Sequence, residues 1–131
     1  MTMMPARILY VDDEDDIREI AQICLELDPE FEVRLCSSGH QALVDAAAWK
    51  PDLVLLDVMM PEMDGPETLS RLRGDPLTHA IPVVFITART QTQEVARFLA
   101  LGAAGVIAKP FNPMTLANEV RARLETIRSD T

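Results

Sequence analysis

Short apolar runs alternate along this chain with longer segments whose apolar residues recur at helical spacing. Residues 7–11, 32–36, 53–56, 83–86 and 105–108 read as strands. Three of these are nearly continuous hydrophobic runs, as expected of strands covered on both faces in a parallel sheet. Between them, Ile17, Ile20, Ala21, Cys24 and Leu25 repeat at i, i+3, i+4, i+7 and i+8, one apolar stripe of a helix. Ala42, Leu43, Ala46 and Ala47 form a second stripe, opened by Ser38 with Gln41 three residues on, a capping-box pattern. Leu69 and Leu72 indicate a short third helix after Asp64-Gly65. Val95, Phe98 and Leu99 mark a fourth, stopped by Gly102. Leu116, Val120, Leu124 and Ile127 mark a fifth, with Asn112 as cap and Pro113 in the first turn.

Strand and helix thus alternate five times with short connections, the pattern of an α/β domain with a parallel sheet and helices on both faces. The expected organisation is one domain over residues 1–131, with its core at about 6–127 and a short tail. A chain of 131 residues buries enough surface to need no disulfide or metal staple. Cys24 and Cys36 accordingly read as small buried hydrophobes. The first ten residues lack a signal-peptide pattern, and the most apolar stretch, 99–108, is too short to span a membrane. A soluble, cytoplasmic protein is expected.

Charge sharpens this picture. Asp and Glu number 21 against 12 Lys and Arg, a formal net charge of -9. Such an excess argues against nucleic acid or an anionic membrane as a direct partner, since both select for clustered Lys and Arg. The acid is also concentrated, because residues 12–16 are five carboxylates in succession. In a doubly wound sheet, ligands sit outside the carboxyl ends of the strands. Asp12-Asp13 follow the first strand, Asp57 the third, Thr87 the fourth and Lys109 the fifth. Converging carboxylates repel one another unless a cation joins them. Oxygen ligands without His or Cys favour Mg²⁺, Mn²⁺ or Ca²⁺ over zinc. A Thr hydroxyl and a Lys ammonium opposite them complete a cradle for a phosphoryl group. Phosphoryl transfer is the expected chemistry, with Asp57 as the nucleophile that becomes an aspartyl phosphate.

These residues carry a resemblance. Asp12-Asp13, the segment from Leu55 through Asp57 and Pro61 to Gly65, Thr87-Ala88 and Lys109-Pro110-Phe111 resemble a response-regulator receiver domain. The resemblance spans about residues 6–127 with all five functional positions in order. It implies a flavodoxin-like, five-stranded parallel sheet in order 2-1-3-4-5 with five helices. It implies that Asp57 is phosphorylated by a histidine kinase or phosphotransfer protein, acting as a conformational switch rather than an enzyme. It further implies Mg²⁺ (or Mn²⁺) held by Asp13, Asp57 and the Met59 backbone carbonyl, with Asp12 acting mainly through water. Thr87 and Lys109 would contact the phosphoryl oxygens, and Lys109-Pro110 falls where the family has a cis peptide. Met59 and Arg89 lie where the family tunes the lifetime of the acyl phosphate, and Ile17, Arg18 and Gln22 lie on the helix that recognises kinases. One departure is Val106, which occupies the position of the family's aromatic rotamer switch. Dimerisation is open, as is the choice between a free-standing regulator and a receiver within a larger protein.

Other readings fit less well. An Asp-dependent phosphatase usually carries a second Asp two residues after the nucleophile, where Met59 stands here. A nucleotide or flavin protein of this architecture cradles phosphate on a first turn rich in Gly, Ser and Thr, where Asp12-Asp13-Glu14 stand instead. A receiver-like module used only for docking would not need the five polar positions. Glu14, Asp15 and Asp16 read as a solvated helix start, His40 and His79 as exposed polar residues, and Tyr10 and Trp49 as packing aromatics.

Overall fold

The computed structural model describes residues 5–129. In chain order the elements are β1 (Ala6–Val11), α1 (Asp15–Leu25), β2 (Phe31–Cys36), α2 (Gly39–Trp49) and β3 (Leu53–Asp57). They continue with α3 (Gly65–Arg73), β4 (Val83–Thr87), α4 (Thr92–Ala100), β5 (Gly105–Ala108) and α5 (Leu116–Ser129). All strand pairings are parallel and the order is β2-β1-β3-β4-β5, the expected topology.

Alternation along the strands divides the core in two. Leu9, Val11, Val54, Leu56, Val83 and Phe85 face Ala42, Ala46, Leu69, Leu72 and Phe98 of α2, α3 and α4. Ile8, Tyr10, Leu53, Leu55, Val84, Ile86 and Ile107 face Ala21, Cys24 and Leu25 of α1 and Leu116, Val120 and Leu124 of α5. Each fully buried Val, Leu or Ile removes apolar area from water worth about 1.5–3 kcal/mol. Both faces are paid for in this way, which is why the central strands read as unbroken apolar runs. Cys24 and Cys36 are free and buried, as expected. Among the described residues no helix is long and apolar enough to cross a membrane.

Several local expectations need revision. Ile20 and Leu99 sit on the predicted apolar stripes yet are 43% and 48% exposed, because Ala21, Cys24 and Leu25 of α1 and Phe98 of α4 take the positions facing the sheet. Strand β3 runs through Asp57 and β4 through Thr87, so both residues are the last of their strands rather than the first of the loops. The Ser38 side chain accepts from the Gln41 amide at 3.1 Å, but Gln41 returns to the Ser37 amide at 2.9 Å instead of that of Ser38. Helix α5 begins at Leu116, after a turn in which Asn112 accepts through its side chain from Met114 and through its carbonyl from Leu116. The stop at Gly102 holds, with φ at 108°.

The chain leaves β1 to one side for β2, then returns to its other side at β3, opening a crevice between the loops after β1 and β3. The loop after β3 is held against the strand end by Gly65, whose amide donates to the Val58 carbonyl at 2.9 Å. A Cβ on Gly65 would lie 2.7 Å from the Asp57 carbonyl oxygen and 2.8 Å from the Val58 Cα, both backbone atoms that cannot swing aside. Gly65→Ala should therefore lower stability by about 1–3 kcal/mol through overpacking. At Gly74 an added Cβ meets nothing nearer than 3.6 Å, so Gly74→Ala should be neutral or slightly stabilising. Urea unfolding of the two variants measures both effects.

Candidate functional site

Each site residue stands where a strand ends. Val11 pairs with Leu56, Asp57 with Ile86 and Thr87 with Ala108, so Asp12, Asp57, Thr87 and Lys109 emerge along one edge of the sheet. Asp12 is 0% and Asp57 3% exposed, whereas Asp13 is exposed. One carboxylate oxygen from each of Asp12, Asp13 and Asp57 lies within 4.8 Å of the others.

A single ammonium joins this cluster. The Lys109 Nζ lies 3.0 Å from Asp12 Oδ2, 3.4 Å from Asp57 Oδ2 and 3.3 Å from Glu14 Oε1. Asp12 is engaged on every side: its Oδ2 also accepts from the Tyr10 hydroxyl at 3.3 Å and its Oδ1 from the Glu14 amide at 3.0 Å. Its backbone carbonyl accepts from the Arg18 guanidinium at 2.6 Å. Thr87 lies on the same edge, but its hydroxyl accepts from the Arg89 amide at 3.0 Å. Lys109-Pro110 is a cis peptide, and the Lys109 amide donates to the Thr87 carbonyl at 2.9 Å.

The donor set suits a hard cation. It offers three carboxylates, two of them buried, with no His or Cys among them. The Lys109 ammonium lies between Asp12 and Asp57 and offsets part of their charge. The electrostatics agree. Burial, and then the Asp12 charge, push the Asp57 carboxyl up to about 6, against the opposing pull of Lys109 and of the Met59 backbone amide. Burial alone would lower Lys109, but its hydrogen bond to Asp12 and the charges of Asp57 and Asp12 leave it above the ordinary lysine value. The Tyr10 hydroxyl is raised by burial and by the neighbouring Asp12.

A groove of about 600 Å³ leads from this floor to solvent. Its walls are Ile17 and Ile20 of α1, Met59, and Pro110, Phe111 and Pro113 after β5. All the positions expected from sequence therefore converge. Two residues were missed. Glu14 is no mere solvated acid, since it pairs with Lys109, while Asp15 pairs with Arg18. Tyr10 is more than packing, because it bonds Asp12 and meets Phe111 edge-on at 6.5 Å. The period-two alternation of β1, which turns residues 10 and 12 to the same side, was the available signal for Tyr10. His40 and His79 are exposed, as expected. Val106 is half-buried, and its carbonyl accepts from Arg123 at 2.8 Å.

The profile of the response regulator receiver domain matches residues 8–121. This chain belongs to that family. It is 41% identical over 124 residues to the DNA-binding response regulator MtrA of Mycobacterium tuberculosis, covering 95% of this chain and 53% of the relative. It is 39% identical over 124 residues to the alkaline phosphatase synthesis transcriptional regulatory protein PhoP of Bacillus subtilis, covering 95% of this chain and 49% of the relative. The chain thus spans about half the length of these curated relatives. Among solved structures, the chemotaxis response regulator CheY4 of Vibrio cholerae superposes with a TM-score of 0.83 at 32% identity, covering 91% of this chain and 98% of that one. A putative response regulator from Chloroflexus aurantiacus gives 0.82 at 33% identity, covering 92% and 98%. The fold is therefore the flavodoxin-like receiver fold, and the family's place is in two-component signalling.

The raised Asp57 pKa has a consequence for stability in a receiver free of metal. A carboxyl that holds its proton more tightly when folded than when unfolded makes ionisation cost stability. The cost is absent below about pH 4, grows as pH rises through about 4 to 6, and is complete above that range. In EDTA, Asp57→Asn should gain about 2–3 kcal/mol relative to wild type between pH 4 and pH 7.5. Unfolding of both proteins across that range measures it, and parallel pH curves would refute it.

Proposed function

We propose that the chain acts along its length as a single receiver whose Asp57 accepts a phosphoryl group from a histidine kinase or a phosphotransfer protein. The observation that carries this reading is Asp57 itself. It is a buried carboxylate at the floor of an open groove, sharing one ammonium with Asp12. An Asp57 carboxylate oxygen attacks phosphorus in line; the O–P bond forms as the P–N bond to the donor imidazole breaks, and the departing ring nitrogen takes a proton from solvent so that the imidazole leaves neutral. Lys109 and the Thr87 hydroxyl, which can donate its proton while its oxygen accepts from the Arg89 amide, would hold the phosphoryl oxygens. Asp13, Asp57 and the Met59 carbonyl are the residues assigned to Mg²⁺ or Mn²⁺. Asp12, with both carboxylate oxygens already accepting hydrogen bonds, fits an outer role through water. The bound cation supplies neutralisation of the clustered carboxylates and of the transferred group's charge.

The reading makes the protein a switch that is labelled stoichiometrically, with a cytoplasmic location where phosphorylated kinases form. The walls of the groove fit an apolar partner surface, and the exposure of Ile20 supports α1 as the kinase-facing helix. Ile17 and Gln22 remain candidates there, whereas Arg18 is occupied by Asp12 and Asp15. The family's aromatic switch has no counterpart at Val106, so any output through α4, β5 and α5 must use other side chains. Whether the output is DNA binding, as in the names of the relatives, lies with whatever the receiver is joined to or meets. The chain's own charge of -9 disfavours direct contact with nucleic acid.

Intact mass after treatment with phosphoramidate and Mg²⁺ tests the assignment. One phosphate should be gained by wild type and none by Asp57→Asn or in EDTA; an unlabelled wild type would overturn the reading. Mg²⁺ alone should raise the unfolding midpoint of wild type through preferential binding to the folded state, and not that of Asp13→Asn. Met59 lines the groove and Arg89 is exposed two residues after Thr87, so their long side chains would screen the site from water. Met59→Ala and Arg89→Ala should each shorten the lifetime of the acyl phosphate, and decay equal to wild type in both would reject that role.

A further inference from the structure

Glu14 occupies the N-cap of α1, yet its side chain makes no capping hydrogen bond. It reaches across to Lys109 instead, 3.3 Å from Nζ. An ammonium has three protons to donate. Three carboxylates surround this one, and two of them, Asp12 and Asp57, are buried while the Glu14 side chain is 62% exposed. The ammonium donates to Asp12 and Glu14 and lies 3.4 Å from Asp57, so a phosphoryl group on Asp57 competes with these neighbours for it. Glu14 is the acceptor that leaves most cheaply, because water can replace the contact on both sides. A phosphoryl group on Asp57 would also bring added negative charge towards the Glu14 carboxylate.

We propose that Glu14 is a positioning residue for Lys109, holding the ammonium on the solvent side of the carboxylate cluster and thereby favouring the unphosphorylated state. The inference rests on Asp57 as phosphoacceptor and adds a residue that opposes its modification. It predicts that releasing Lys109 makes phosphorylation easier, although the site loses a contact.

Lys50 and Lys109 are the chain's two lysines, so isotope-labelled lysine in a Lys50→Arg background reports on Lys109 alone. In that background, Glu14→Gln keeps the reach and removes the charge, Glu14→Asp keeps the charge and loses the reach, and Asp16→Asn removes a charge from the same turn. In EDTA, the Lys109 side-chain NMR signals should shift in both Glu14 variants and stay put in Asp16→Asn. With phosphoramidate and Mg²⁺, both Glu14 variants should label about 2- to 5-fold faster than their parent, the range of a partly exposed ion pair. Unchanged Lys109 signals, or slower or equal labelling, would overturn the proposal. So would a Glu14→Asp variant that behaves as its parent while Glu14→Gln matches Asp16→Asn, since that result is a charge effect without positioning. A parent that accepts no phosphate would fail the phosphoacceptor assignment and the bias claimed for Glu14 together. Normal labelling with unmoved lysine signals would fail the positioning role alone.

Discussion

The ammonium of Lys109 is the interaction on which the site depends. Three acidic side chains close on it at 3.0 to 3.4 Å, and without a positive charge two buried carboxylates could not both ionise beside each other. The sheet places the lysine there. Its strand lies two positions from β3, and the backbone bond from the Lys109 amide to the Thr87 carbonyl fixes where the side chain starts. Stability and function pull in opposite directions at this point. The fold buries Asp57 at a cost, and the same burial leaves a poorly solvated carboxylate facing an open groove.

The acidity of the chain divides accordingly. Asp12 is locked by Tyr10, Lys109 and the Glu14 amide, and so serves the architecture of the site as much as its chemistry. Asp13 is exposed and Asp57 buried, one at the mouth and one at the floor. Glu14 turns towards Lys109, while Asp15 turns away to Arg18. Five consecutive carboxylates thus have at least four different electrostatic surroundings, because the strand end, the turn and the helix start follow one another within five residues.

Away from the site, the same economy of packing explains what the helices present to solvent. The sheet faces are filled by Ala21, Cys24 and Leu25 from α1 and by Phe98 from α4, which leaves Ile20 and Leu99 outside. Ile20 then becomes a wall of the groove above Asp57. An apolar residue left over from the core is thereby part of the approach to the site.

By itself the sequence determined the alternation of strands and helices, the burial of the central strands on both faces, and the strand ends that carry Asp12, Asp13, Asp57, Thr87 and Lys109. These are legible because side-chain periodicity and the residue at a strand end are local properties of the chain. Tertiary structure alone decided that Glu14 pairs with a lysine 95 positions away, that the Tyr10 hydroxyl meets Asp12 beneath Phe111, and that Ile20 faces the groove. It also decided that Thr87 rests on the Arg89 amide rather than on the lysine. The physical reason is reach. A hydrogen bond or ion pair forms only within about 3 to 4 Å, and which of several nearby carboxylates comes that close depends on how strands and loops pack, not on their spacing in the chain.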